Sequence, residues 1–227
     1  MNYTSTIKNF KSADRKSIDA IEYKPDNTAH SAIILVYEIF GITSHIKKLA
    51  GKLSEGGFIV NIPDIFSRLE KNVSLPYNKE GFQKGKNLKE KLGWEIPVMD
   101  IVASAAIYKQ NYEVYVLGFC FGGSLAWLSM QKSFIFDKGV CYYGSSIPDF
   151  LNLNVNSEVM LHFGKKDKGI PSSAVDKVKK YITKNENEVK LFEYEDADHG
   201  FNCNERKSYN KKAAEDAFKK TLKFFKA

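Results

Sequence analysis

Two spacings of apolar residues alternate along the chain. Short, largely apolar runs fall at residues 32–37, 58–62, 114–117, 138–144, 159–164 and 189–194. Runs of this length, rich in Val, Ile, Phe and Tyr, predict strands, and the most continuous of them, such as 32–37, predict strands buried on both faces. Between them the apolar positions recur every three to four residues: Ile46, Leu49, Ala50 and Leu53; Val98, Ile101, Val102, Ala105 and Ala106 within 96–108; Leu125, Ala126, Leu128 and Met130. A stretch after Pro171 to about 183 and a closing stretch at 205–226, with Ala213, Ala214, Ala217, Phe218, Leu222 and Phe225, repeat that spacing. These predict helices with one inward face. Strands alternating with helices imply a mostly parallel sheet covered on both sides. Residues 3–10 and 17–23 alternate instead, and predict an opening antiparallel pair joined around Ser12-Ala13-Asp14. Thr43 or Ser44 is placed to cap the first helix. Residues 66–95 carry little periodicity and predict a loop with a short helix, whose Tyr77, Phe82 and Trp94 are candidate pocket walls. No repeat or linker divides residues 1–227, so one α/β domain is expected.

One stretch carries chemistry. The run Val114–Leu117 ends in Gly118-Phe119-Cys120-Phe121-Gly122-Gly123. Gly-x-Cys-x-Gly between a buried strand and a helix is the pattern of a nucleophile elbow with a thiol as nucleophile. The residues two before and two after the nucleophile crowd together in such a turn, and glycine relieves the clash. The amide of Phe121 then opens the helix, where it can donate to an oxyanion. Neither Gly-x-Gly-x-x-Gly nor Gly-Lys-Ser/Thr is present, so a phosphate cradle is disfavoured.

In a parallel sheet, reactive groups gather at the C-terminal ends of the strands. Asp167 follows the 159–164 run, His199 follows the 189–194 run, and Glu38 follows the 32–37 run directly. Nucleophile, acid and histidine come in the chain order of the α/β-hydrolase triad. His199 would take the thiol proton and return it to the leaving group, and Asp167 would fix its tautomer. Asp196 and Asp198 are rival acids but lie too near His199 to reach back easily. Glu38 is either a proton acceptor or a helix-cap or ion-pair residue. His30, His45 and His162 read as surface or core histidines, and Cys141 and Cys203 as structural. No Cys/His cluster has metal-ligand spacing, so no metal is expected.

Composition narrows the setting. The formal net charge of +7 is carried almost wholly by lysines spread over the chain. This is unlike the Arg-and-aromatic face of a nucleic-acid binder, though it favours anionic substrates. Three cysteines, no basic-then-apolar leader and no run long enough to span a bilayer give the expectation of a cytoplasmic protein without membrane association. A monomer or weak homodimer is expected.

These residues resemble the dienelactone hydrolases of the α/β-hydrolase superfamily. The resemblance rests on Tyr37-Glu38-Ile39-Phe40-Gly41, Gly118-Phe119-Cys120-Phe121-Gly122-Gly123, Cys141-Tyr142-Tyr143-Gly144, Gly164-x-x-Asp167-x-x-x-Pro171 and His199-Gly200-Phe201. It implies a triad of Cys120, Asp167 and His199, and an oxyanion hole from the amides of Ile39 and Phe121. It also implies that Glu38 is a proton acceptor switched on by substrate. The implied reaction is hydrolysis of an anionic enol-lactone or small ester through an acyl-cysteine, with no metal and no organic cofactor. Tyr143, Phe201, Arg206, Tyr77 and Trp94 are the candidate substrate-binding residues. Arg206, expected within the closing helix, could hold a substrate carboxylate or pair with Glu205; Arg68 cannot be aligned with a family arginine. The alternatives are a broad carboxylesterase or thioesterase, or a non-catalytic redox-sensing or binding module on the same fold.

Overall fold

The apolar runs pair into one eight-stranded sheet in the order β1-β2-β4-β3-β5-β6-β7-β8. The computed structural model describes residues 2–185 and 189–227. The strands are β1 (Tyr3–Lys11), β2 (Ser17–Pro25), β3 (Ser31–Val36), β4 (Phe58–Pro63), β5 (Glu113–Phe119), β6 (Lys138–Tyr142), β7 (Glu158–Gly164) and β8 (Val189–Tyr194). Pairings β1–β2 and β2–β4 are antiparallel and all others parallel. The helices are α1 (Ser44–Glu55), α2 (Lys79–Leu92), α3 (Glu95–Lys109), α4 (Phe121–Lys132), α5 (Ser172–Asn185) and α6 (Lys211–Lys226). The mostly parallel, helix-covered sheet is what the alternation of periods predicts, and the α/β-hydrolase type of architecture is what the resemblance implies.

Every residue of β3 and β4 is buried, as their unbroken apolar runs require. Side chains of β5 alternate between two helical layers. The Tyr115 ring stacks on Phe225 of α6 at 4.9 Å, while Val116 lies beside Met130 of α4, both close to Gly139. The hairpin β1–β2 departs from a two-sided sheet: near its turn Phe10, Ile18 and Ala20 form a small separate apolar cluster against Ala103, while at its other end Tyr23 joins the main core. Ile7 is 80% exposed.

Three expectations need correction. Residues 66–95 hold a 3-10 turn at Ile65–Arg68 and then the fourteen-residue α2, not a short helix. Its pattern was hard to see because its packing face is part glycine. Gly81, Gly85, Leu88 and Leu92 are the buried positions, and a side chain at Gly85 would run into the carbonyl of Ile39. The closing helix begins at Lys211 rather than 205, because Asn210 caps it by accepting from Ala213 N–H at 3.1 Å. Arg206 therefore lies in the turn before α6. Ala106, expected to face inward, is exposed, while the charged Asp100 of the same helix is fully buried. Of the two candidate caps, Thr43 serves α1.

Candidate active site

Register alone brings two of the reactive positions together. Val36 of β3 lies opposite Gly118 of β5, so the segments leaving these strands emerge side by side. One carries Glu38 and Ile39, the other Cys120. This is the switch point of the sheet, since β4 pairs on one side of β3 and β5 on the other, and such points leave a crevice at the strand ends.

Cys120 stands on a strained turn, with φ 54° and ψ −115°. For a residue with a Cβ this is an uncommon conformation that needs support from its surroundings. The support is close backbone packing. A side chain at Gly118 would overlap the Gly122 carbonyl, and one at Gly122 would overlap the Val36 carbonyl. Cys120 N–H donates to the Tyr142 carbonyl at 3.0 Å, which ties the turn to β6. Phe121 is the first residue of α4, so its N–H has no carbonyl partner within the helix and points toward the crevice end.

The crevice is a cleft of about 450 Å³. Its walls include Cys120, Asp167, His199, Ile39, Phe121 and Arg206. The Nδ1 of His199 donates to Asp167 Oδ2 at 2.7 Å. Asp167 is itself fixed by accepting from the N–H groups of Gly169 (2.8 Å) and Ile170 (3.2 Å) on its other oxygen. The opposite side of the imidazole meets Cys120. Burial works against the imidazolium, but the interactions with Cys120 and with the Asp167 carboxylate outweigh it and raise His199 to about 10. The rival acids are placed elsewhere: Asp196 pairs with Lys166 at 2.7 Å, and Asp198 accepts from the backbone N–H of His199 at 2.6 Å.

Glu38 sits one layer behind the cleft wall. Its Oε1 accepts from Arg206 Nη1 at 3.2 Å. Its Oε2 is buried without a hydrogen-bond partner. Tyr143 holds the underside of His199, ring to ring at 5.0 Å; its hydroxyl is also buried and unpartnered. Burial first, then nearby Glu38, pushes that hydroxyl well above the usual tyrosine range, so it remains a neutral O–H. Tyr143 has φ 38°, a second strained backbone position at the site.

The remaining candidates lie further out. Phe201 is fully buried among Tyr142, Tyr143 and Tyr194. Tyr77 packs on Phe40 at 4.7 Å and shares a 2.8 Å hydrogen bond with Thr43, behind Glu38. Trp94 lines a different cavity and borders this site through Phe121, at 5.3 Å, and through Lys89, whose Nζ lies 5.1 Å from the ring centroid. Arg68 is remote in function: it is buried against Asp100 and Asp14. Three lysines at the mouth, Lys86, Lys89 and Lys168, were not singled out from sequence. Phe82, Lys86 and Lys89 are spaced to share one face of α2; that spacing was a usable signal once a long helix was recognised there. Among the described residues no group of three or more His, Cys, Asp or Glu could hold a metal ion, and no helix is long and apolar enough to cross a membrane.

Comparison with known proteins gives one family. The model of the dienelactone hydrolase family matches residues 18–227. A Synechocystis protein provisionally named carboxymethylenebutenolidase is 29% identical over 212 residues, covering 86% of this chain and 85% of its own. The carboxymethylenebutenolidase of Pseudomonas putida is 25% identical over 224 residues, covering 94% and 93%. In fold, the chain is similar to a crystal structure from Klebsiella pneumoniae, provisionally named dienelactone hydrolase, with TM-score 0.86, 23% identity and 98% of each chain covered.

Proposed function

This chain belongs to the dienelactone hydrolase family, and from that premise we propose that it hydrolyses a small anionic ester or lactone through an acyl-cysteine. The observation that carries this reading is the cysteine on a strained turn at a helix start, with an imidazole held between it and a buried carboxylate.

In this reading the Cys120 sulfur attacks the substrate carbonyl carbon, and its proton passes to His199. The tetrahedral oxyanion takes hydrogen bonds from the N–H groups of Ile39 and Phe121. The surroundings of His199 favour the imidazolium, so the proton has a stable place until the leaving oxygen accepts it. Collapse of the intermediate breaks the carbon–oxygen bond and leaves the acyl group on sulfur. His199 then takes a proton from water as it attacks the acyl carbon; the carbon–sulfur bond breaks, the sulfur takes the proton back from His199, and the carboxylic acid departs. In a lactone both products are one molecule, with the new carboxylate and the released oxygen on the same chain.

Arg206 and Glu38 give the substrate's charge a role. Arg206 faces the cleft while holding Glu38 by a single contact. A substrate carboxylate that engages Arg206 would compete with Glu38 and free a second proton acceptor behind the cleft wall. Lys86, Lys89 and Lys168 add positive charge at the mouth, which favours an anion.

Mass spectrometry of the protein mixed with an activated ester or a dienelactone should show an adduct on Cys120 that decays with turnover. In Cys120→Ala, turnover should fall by about 10³-fold or more with the fold retained. Unchanged hydrolysis by that variant would refute the reading. Comparing a dienelactone with neutral phenyl and acyl-thiol esters separates a lactone hydrolase from a broad esterase.

A further inference from the structure

A second cavity, larger than the Cys120 cleft at about 590 Å³, lies between the β1–β2 turn and the outer faces of α3 and α4. It shares no lining residue with the cleft. Its walls are largely apolar: Trp94, Val98, Met99, Val102, Ala103 and Leu128. The cavity exists because the hairpin turn is docked by polar groups. Ser12 Oγ donates to Asp100 Oδ1 at 2.6 Å, and Arg68 bridges Asp14 and Asp100. That network fixes the turn over α3 without filling the space beside it. Met99, Val102, Ala103 and Ala106, which share one helical face, are left lining open space. A contiguous apolar concavity of this kind is costly to leave to water and marks a binding site more often than a defect.

Charge is arranged around it. Lys11 and Lys132 stand in its lining, and neither forms an ion pair with a described residue. Glu95 is the one acidic residue there. An apolar floor edged by two unpaired ammonium groups complements a molecule with an apolar body and one negative head. We propose that this cavity binds an amphipathic monocarboxylate, with its chain or ring against α3 and its carboxylate at Lys11 or Lys132. The occupant lies against Trp94, whose other ring neighbours include Phe121 and Phe150. Trp94 emission therefore reports occupancy. This binding does not depend on the hydrolase reading.

The test is calorimetric titration of the whole protein with decanoate and with decanol, with tryptophan emission recorded in parallel. Wild type should bind decanoate saturably and shift its emission. Ala106→Trp, which fills the cavity from an exposed helix position, should bind decanoate at least about tenfold more weakly and keep its ester turnover without decanoate. Lys11→Glu combined with Lys132→Glu should weaken decanoate at least about tenfold while decanol affinity is unchanged. No saturable binding to wild type overturns the proposal, as does equal affinity in Ala106→Trp. If Ala106→Trp does not fold, the surface lysine pair decides alone: unchanged decanoate affinity there overturns it. Sedimentation showing a dimer that Ala106→Trp dissolves and decanoate does not would assign the cavity to a second copy of the chain instead.

Discussion

Two guanidinium groups meet carboxylates inside this protein, and they are satisfied to different degrees. Arg68, with 4% of its side chain exposed, grips Asp100 through Nε (2.9 Å) and Nη2 (2.5 Å) and reaches Asp14 as well. Ser12 completes the set on Asp100. Arg206 uses one nitrogen, at 3.2 Å, on one oxygen of Glu38. The second oxygen of Glu38 is buried with nothing to accept from. Buried polar groups are nearly always satisfied, so an exception calls for a reason. The complete network holds the hairpin onto α3. The incomplete one faces the cleft that holds Cys120 and His199, where an unmet acceptor leaves room for a substrate or a moving proton. Saturation thus separates a charge pair that holds the fold from one available to chemistry.

The contrast can be broken from either side. The largest effect on stability is expected at Asp100→Ala, which strands a buried guanidinium: urea unfolding should show a loss of about 3–5 kcal/mol, with kcat of the folded fraction little changed. A kinetic defect with full stability would place Arg68 in the wrong class. Next comes Glu38→Gln. Its kcat should fall by about 10²-fold, in the range removed with an acid–base group, while unfolding free energy shifts by about 1 kcal/mol or less because Arg206 faces the cleft and can be solvated. If stability falls as far as in Asp100→Ala, the two pairs do the same work.

A smaller effect sharpens the picture of the site. His199 is raised from 6.5 to about 10 in the folded protein, so its protonation persists in the native state after the unfolded chain has lost it. The stabilisation from this group is therefore complete below about pH 6.5 and fades as pH climbs through about 10. Urea midpoints should decline over that window in wild type and decline less in Cys120→Ala, which lacks the sulfur beside the imidazole. An identical slope in both proteins would mean that the sulfur contributes nothing to holding the imidazolium. The smallest expected change is at Phe82, half exposed on the cleft rim. Phe82→Ala should raise KM by about threefold with kcat unchanged, the pattern of lost uniform binding.

How much of this was legible in the chain follows from how local each cause is. The strand runs, the helix spacings and the elbow could be read directly, because a buried strand needs an unbroken apolar run and a strained turn needs its two glycines. Gly118 and Gly122 were visible for that reason, and the resemblance carried Glu38, Cys120, Asp167 and His199 as a set. The length of α2 was not legible, since Gly81 and Gly85 pack there by being small rather than apolar, and hydropathy does not register smallness. Trp94 and Phe82 looked equivalent in sequence, yet α2 places one on the cleft rim and the turn into α3 places the other behind Phe121. Arg68 and Arg206 were likewise two unassigned arginines. Only the docking of the hairpin on α3, and of the turn before α6 on the end of β3, gave one a full complement of carboxylates and the other a single contact. Sequence by itself determined which candidate reactive groups follow which strand ends, because periodicity and turn sterics act over a few residues. Tertiary structure decided which charges are satisfied and which apolar faces stay open, because those depend on segments far apart in the chain meeting across the fold.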